Sequence, residues 1–404
     1  MRPPARRPGV LRIVLVLGLL EAFGPFSMDL YLPQLPQLAA DLDVPAALAQ
    51  ATMSACMIGL GVGQLIAGPL SDRFGRRRPL LIGVTAFALL SVMCAVAPGI
   101  EVLLLARFAQ GVAGSAGIVI SLAVARDLFS GTELSRMLSL LLLVSGSAPV
   151  VAPLIGGQLA AVMDWRGVFW VLGGVGAALL ALVVLGLPET LATGDRHTGR
   201  AALGGHLGSV LRDRLFLAVL AATAAGGVAF FAYLSMSSFV LQDGFGLTAQ
   251  TFSLVFAANA TASIAGGQCS RLLVTRLGPL RMYLLGASAA ALACVALLVL
   301  VLCGAGLAGV IAALLVFMFV AGTSGPNGST LALAQHGARA GTASALLGMS
   351  TYVFGPAIVP LASLGGVTAT TMAVVMAVAA LAAAAFAWYG VRPAAAYVPA
   401  AEPG

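Results

Sequence analysis

The sequence predicts an all-α integral membrane protein, with twelve transmembrane helices in two six-helix bundles related by pseudo-twofold symmetry. Three observations predict it. Of 404 residues, 60% are hydrophobic and only 9% charged, and the mean hydropathy is +1.04. Soluble globular chains are about 25% charged, and disordered ones are poor in Leu, Val and Ile, so neither class fits. A ruler of about 20 apolar residues per span then lays twelve segments along the chain. Finally, with a cytoplasmic N-terminus, every one of the arginines except Arg107 and Arg166 falls in a tail or an inner loop, as the positive-inside rule requires.

The first segment, centred near residue 23, follows Arg2, Arg6, Arg7 and Arg12. A basic start imitates a signal peptide, but this apolar run is longer than about 20 residues and contains acids, so it reads as a spanning helix. Segments two and three, near 58 and 88, flank a loop carrying Arg73, Arg76, Arg77 and Arg78. Segment four, near 113, follows Glu101, contains Arg107, and leads to Arg126 and Arg136. Segments five and six, near 148 and 177, enclose an outer loop with Arg166. The longest polar stretch comes next, and predicts a cytoplasmic linker over 188–213 between an N-terminal bundle (1–187) and a C-terminal bundle with a short cytoplasmic tail (214–404). Segments seven to twelve centre near 226, 260, 292, 317, 350 and 378. A shift of 203 residues lays Gly63 on Gly266, Arg73 on Arg276, Gly75 on Gly278 and Arg78 on Arg281, a repeat of the kind transporters build from two halves.

Several functions are excluded early. Basic charge in short inner loops marks topology, so no nucleic-acid partner is expected. The cysteines Cys56, Cys94, Cys269, Cys294 and Cys303 lie in apolar runs without CxxC spacing, and His197, His206 and His336 have no ligand spacing; no metal and no disulfide frame are expected. Without any Lys there is no phosphate-binding GxxxxGK[ST] loop, so ATP does not power the protein directly. No catalytic residue and no cofactor is predicted, protons being the coupling ion.

Ionisable groups inside a membrane helix are costly and mark function by default. Away from loops and helix ends the chain has Glu21 and Asp29 in helix one and Arg107 in helix four. At 1.5 Å per residue, Asp29 and Arg107 lie at about the same depth, roughly 8–9 Å from the outer ends of their helices, and are expected to meet across a cavity. Glu21, eight residues before Asp29, lies about 12 Å nearer the cytoplasm and about 80° around the helix, with Gly24-Pro25 as a bend between them. A carboxyl in low dielectric gains and loses protons near physiological pH, as a coupled transporter requires. Tyr31, Phe230, Phe231, Tyr233, Met236 and Phe239 are candidate cavity lining, and Asn259, Gln268, Asn327 and Gln335 either bond a substrate or bridge helices.

The stretch Gly68-Pro69-Leu70-Ser71-Asp72-Arg73-Phe74-Gly75-Arg76-Arg77-Arg78 resembles the signature loop between helices two and three of the major facilitator superfamily. Arg107-Phe-Ala-Gln110-Gly111 with Gly114 and Gly117 resembles its helix-four motif. Pro153-Leu-Ile-Gly156-Gly157 resembles the antiporter motif of drug exporters, with Ala148 and Ala152 where that family has glycines. Met28-Asp29-Leu30-Tyr31-Leu32-Pro33 with Arg126-Asp127-Leu128 is similar to the bicyclomycin/chloramphenicol-resistance (Bcr/CflA) group of drug:proton antiporters.

The resemblance implies that Glu21 and Asp29 bind proton and substrate, and that Arg107 couples protonation to conformational change. It also implies an inner gate of Gly68, Asp72, Arg73, Gly75, Arg76 and Asp127, whose acid interacts with the start of helix eleven. In the second half Thr275 stands where Asp72 does and no acid corresponds to Asp29, so the proton chemistry is expected in the first half.

The resulting expectation is a proton-coupled multidrug efflux antiporter. It would sit as a monomer in the plasma (inner) membrane with both termini cytoplasmic, and export small, largely apolar compounds. A proton symporter importing a metabolite is the alternative on the same fold. A membrane enzyme lacks ligands or acids at a membrane face, and a channel would need charged rings rather than isolated charges.

Overall fold

The computed structural model describes residues 10–191, 210–334 and 340–396, and every regular element among them is helical. Helix α1 runs Val10–Asp29, followed by a 3₁₀ turn and a short α2, Leu35–Asp41. Then come α3 (Ala46–Phe74), α4 (Arg77–Ala95), α5 (Ile100–Leu128), α6 (Gly131–Leu159) and α7 (Trp165–Gly186). After the undescribed part of the linker come α8 (Arg214–Phe239), α9 (Ala249–Leu302), α10 (Leu307–Leu333), α11 (Ala340–Ala362), α12 (Ala369–Ala385) and a terminal turn α13 (Arg392–Ala396). His197, His206, Gln335 and His336 lie outside the described residues.

Among the described residues nine helices are long and apolar enough to cross a bilayer, ten if the bent first segment is one span. That agrees with twelve predicted segments once two cases are resolved. The stretch Ala249–Leu302 (α9) is two spans separated at Gly278, whose backbone (φ 76°, ψ 159°) is not helical. Helix α11 is shorter in its apolar part, Leu346–Ala362. Helix starts follow local chemistry: the side chains of Asp164, Asp213, Thr248 and Thr368 each accept a bond from a backbone N–H of the first turn, satisfying donors the helix leaves open. The expected bend between Glu21 and Asp29 is present, with Ile13–Gly24 and Phe26–Asp41 meeting at 44°.

The chain divides into two compact units. The first comprises α1 to α7 apart from residues 45–50, which group with α8 to α13 in the second. In the first unit α1 packs on α5 and α6, and α4 on α5 and α7; in the second, α9 packs on α10 and α12, and α8 on α11 and α12.

Both units bring helices together at glycines. A Cβ on Gly111 of α5 would lie 2.0 Å from the Cys56 carbonyl oxygen of α3, and one on Gly322 of α10 would lie 2.0 Å from that of Ser263 on α9. Backbones approach this closely only without side chains between them, which is how helices associate where lipid supplies no hydrophobic drive. Gly111→Ala and Gly322→Ala are therefore expected to cost about 1–3 kcal/mol or more each by overpacking. Apparent melting temperatures in detergent check this, against Gly174→Ala, where an added Cβ meets nothing within 4 Å.

Candidate functional site

Both acids of α1 sit where another helix touches the backbone beside them. A Cβ on Gly117 of α5 would come 3.0 Å from the carbonyl oxygen of Leu20, next to Glu21. One on Gly156 of α6 would come 2.1 Å from that of Leu30, next to Asp29. The helix-four and antiporter motifs thus each supply a glycine that clamps α1 at an acid, a role not evident from sequence. Pro153 and Gly157 are buried on the same helix. Glu21 is half-buried and its Oε2 lies 2.8 Å from Ser121 Oγ, whose single proton is shared between it and the Ile118 carbonyl oxygen at 2.9 Å. Asp29 closes α1 and is 6% exposed.

The expected meeting of Asp29 with Arg107 does not occur. Among the described residues the ion pairs are Arg76 with Asp72 and Arg76 with Asp127. Arg107 is fully buried, and its guanidinium lies 4.7 Å from the centre of the Tyr31 ring and 5.4 Å from that of Phe169. Its Nη1 donates to Gln110 Oε1 at 2.5 Å and its Nε to the Thr52 carbonyl at 3.4 Å, while Nη2 has no hydrogen-bond partner. Gln110 Nε2 in turn donates to Ser91 Oγ at 2.7 Å, and the Tyr31 and Thr52 hydroxyls are 3.0 Å apart. Depth along two helices fixes only level. The chain turns after Asp29 and delivers Tyr31 to the cation, so the charge is held by ring faces and neutral acceptors.

The loop between α3 and α4 is an ion-pair cluster centred on Arg76. Its Nε donates to Asp127 Oδ2 at 3.0 Å, and its Nη1 donates to Asp72 Oδ1 and, at 2.8 Å, to Ser71 Oγ. Burial works against the Arg76 charge, but the hydrogen bonds and charges of Asp127 and Asp72 outweigh it and hold its pKa above the ordinary value. Arg73 is different: it is exposed, with its guanidinium 5.1 Å from the Phe74 ring centre, and joins neither acid. Gly68 lies within α3 and makes no turn; the turn is at Gly75, with φ 89°. Two residues at the start of the expected linker take part as well. The Glu189 carboxylate accepts from the Arg76 and Arg77 backbone N–H groups at 2.8 and 3.3 Å, and Thr190 Oγ1 donates to Asp127 Oδ2 at 3.0 Å. Sequence reading assigned both to a solvated linker, since nothing local marks a carboxylate as capping a helix more than a hundred residues away.

The aromatic lining is redistributed. Tyr31 is fully buried against Arg107, and Phe231, Tyr233, Met236 and Phe239 are buried as well. Tyr233 stacks on Phe256 with centroids 5.5 Å apart, and Phe231 packs so closely that a Cβ on Gly355 would lie 2.9 Å from its own Cβ. Phe230, one residue round the helix, is 36% exposed and lines a cavity in the second unit. Asn327 Nδ2 bridges helices by donating to Ser270 Oγ at 2.8 Å, Gln268 is exposed, and Asn259 is fully buried with neither amide atom bonded. Among the described residues no group of His, Cys, Asp or Glu is placed to hold a metal.

Residues 17–360 match the family described as Major Facilitator Superfamily. The chain is 38% identical to an uncharacterized MFS-type transporter, YdgK, of Bacillus subtilis, over 92% of this chain and 93% of that one. It is 34% identical to a bicyclomycin resistance protein homolog of Haemophilus influenzae, over 66% of this chain and 67% of that one. It is also 31% identical to the multidrug resistance protein MdtL of Shewanella oneidensis, over 81% and 82%. In fold it is similar to a D-xylose-proton symporter, with TM-score 0.73 and 16% identity over 95% of this chain and 98% of that one.

Proposed function

Because this chain belongs to the major facilitator superfamily, a family of membrane transporters, we propose that it is a proton-coupled antiporter that exports small, largely apolar drugs, chloramphenicol- or bicyclomycin-like, by alternating access. It is a multi-pass membrane protein. Resemblance to relatives named for bicyclomycin and multidrug resistance supports the direction and the kind of cargo. The observation that carries the coupling is the pair of carboxyls on α1, each fixed by a glycine contact from another helix. A carboxyl that exchanges protons while its helix is clamped at that point transmits its charge state to its neighbours, and passive transport has no use for two of them. In this reading Glu21 and Asp29 exchange protons and Arg107 senses their charge. The protein acts as a monomer in the plasma (inner) membrane with cytoplasmic termini, and needs no cofactor beyond protons.

Purified protein in liposomes tests the reading. An imposed pH gradient is expected to drive chloramphenicol against its concentration gradient, with proton movement in the opposite direction. Drug and proton moving in the same direction would identify a symporter.

A further inference from the structure

We propose that the second unit carries a cargo subsite of its own: the cavity among α8, α9, α10, α11 and α12, which takes an uncharged aromatic molecule with a polar substituent. This deepens the efflux reading and rests on it for the direction of transport only. The cavity has a volume of about 530 Å³, within the range of about 300–1,000 Å³ usual for ligand pockets. Its lining has three features that together select a ligand class.

Among the described residues no Asp, Glu, Arg or His lines it, so a cationic drug would find no counter-charge there in a low-dielectric wall. Phe230, Tyr283 and Phe317 line it from three different helices, and an aromatic lining favours an aromatic guest. Hydroxyls interrupt the apolar wall at Thr223, Ser329, Ser344 and Thr351. Ser329 and Ser344 are exposed, and a guest bearing a polar group would bond to them. A lipid acyl chain would fill the volume but bond to none of these hydroxyls.

The space itself is kept by residues that packing does not need. A Cβ on Gly325 or Gly348 would meet nothing within 4 Å, unlike the glycines at the helix crossings. Both line the cavity, and their missing side chains leave it open. They therefore allow a test that starts from open space: Gly325→Leu and Gly348→Leu place a side chain whose Cβ meets nothing within 4 Å.

Full-length protein in nanodiscs would be photolabelled with a diazirine derivative of chloramphenicol and mapped by peptide mass spectrometry. Label is expected on peptides of α8, α10 or α11, reduced at least tenfold by Gly325→Leu and Gly348→Leu. It should be unchanged by Gly174→Leu, the same substitution at an uncrowded site in the first unit. A cationic photoprobe built on ethidium should leave these peptides unlabelled. Label confined to the first unit, or unaffected by filling the cavity, overturns the proposal. So does a cavity found to hold only phospholipid by native mass spectrometry. Export of chloramphenicol with no label in the second unit would sink this subsite and leave the efflux reading intact. Label here without proton-driven export would do the reverse.

Discussion

Asp29→Asn is expected to abolish drug export driven by a pH gradient while leaving proton-independent exchange of labelled drug across the membrane. Asn matches the carboxylate in shape, so the clamp of Gly156 on the Leu30 carbonyl is undisturbed and the variant should fold and insert. Only the exchangeable proton is removed. Glu21→Gln should weaken gradient-driven export about tenfold or more, equivalent to about 1.4 kcal/mol or more of lost coupling. Its amide oxygen still accepts from Ser121, so the local packing is kept. Transport by the double variant at the parental rate would show that neither acid carries the proton.

Arg107 yields the second large effect, and two replacements separate its charge from its bulk. Arg107→Ala empties a fully buried site and is expected to destabilise the fold by about 2–5 kcal/mol, as other large-to-small core changes do. Arg107→Met fills most of the volume and takes a cation out of a pocket that holds no carboxylate partner, so stability should be equal to the parent or higher. Both variants should fail in pH-gradient-driven export. Melting temperature and transport would then diverge for Met and fall together for Ala. An Arg107→Met protein that transports as the parent does would make the guanidinium a packing group held between Tyr31 and Phe169.

The helical architecture was legible because one-dimensional quantities specify it: run length gives each span, and arginine placement gives each loop. Even the break between the two spans of α9 had its signal, since the repeat aligned Gly278 with the turn at Gly75. The candidate site was legible as a set of residues, not as contacts. Asp29 and Arg107 were paired by depth, but depth leaves rotation about the helix axis undetermined, and Tyr31 reached the cation instead. The same one-residue rotation separates Phe230, on a cavity, from Phe231, in the packing. Arg73 and Arg76 look equivalent in a run of charges, and only the fold shows that Arg76 alone joins two acids. The second-unit cavity had no sequence signal, because small residues that leave space and small residues that permit close packing are the same residues.

The left-handed glycines at 75 and 278 occupy the same place in the repeat of the two halves. If the halves arose by duplication of one six-helix gene, the two copies have since diverged around this turn. The first keeps an arginine bonded to Asp72 and Asp127, and the second has Thr275 in place of the acid and Pro279 following the glycine. The glycine persists in both, with φ 89° and 76°. An ion pair at a membrane edge can be lost in steps, since each change costs little and other charges can substitute. A backbone with positive φ has almost no substitute for glycine. Distant half-length ancestors of such proteins should accordingly be sought by aligning this glycine and its distance from the helix crossing at Gly63 or Gly266, with the flanking charges left free to vary.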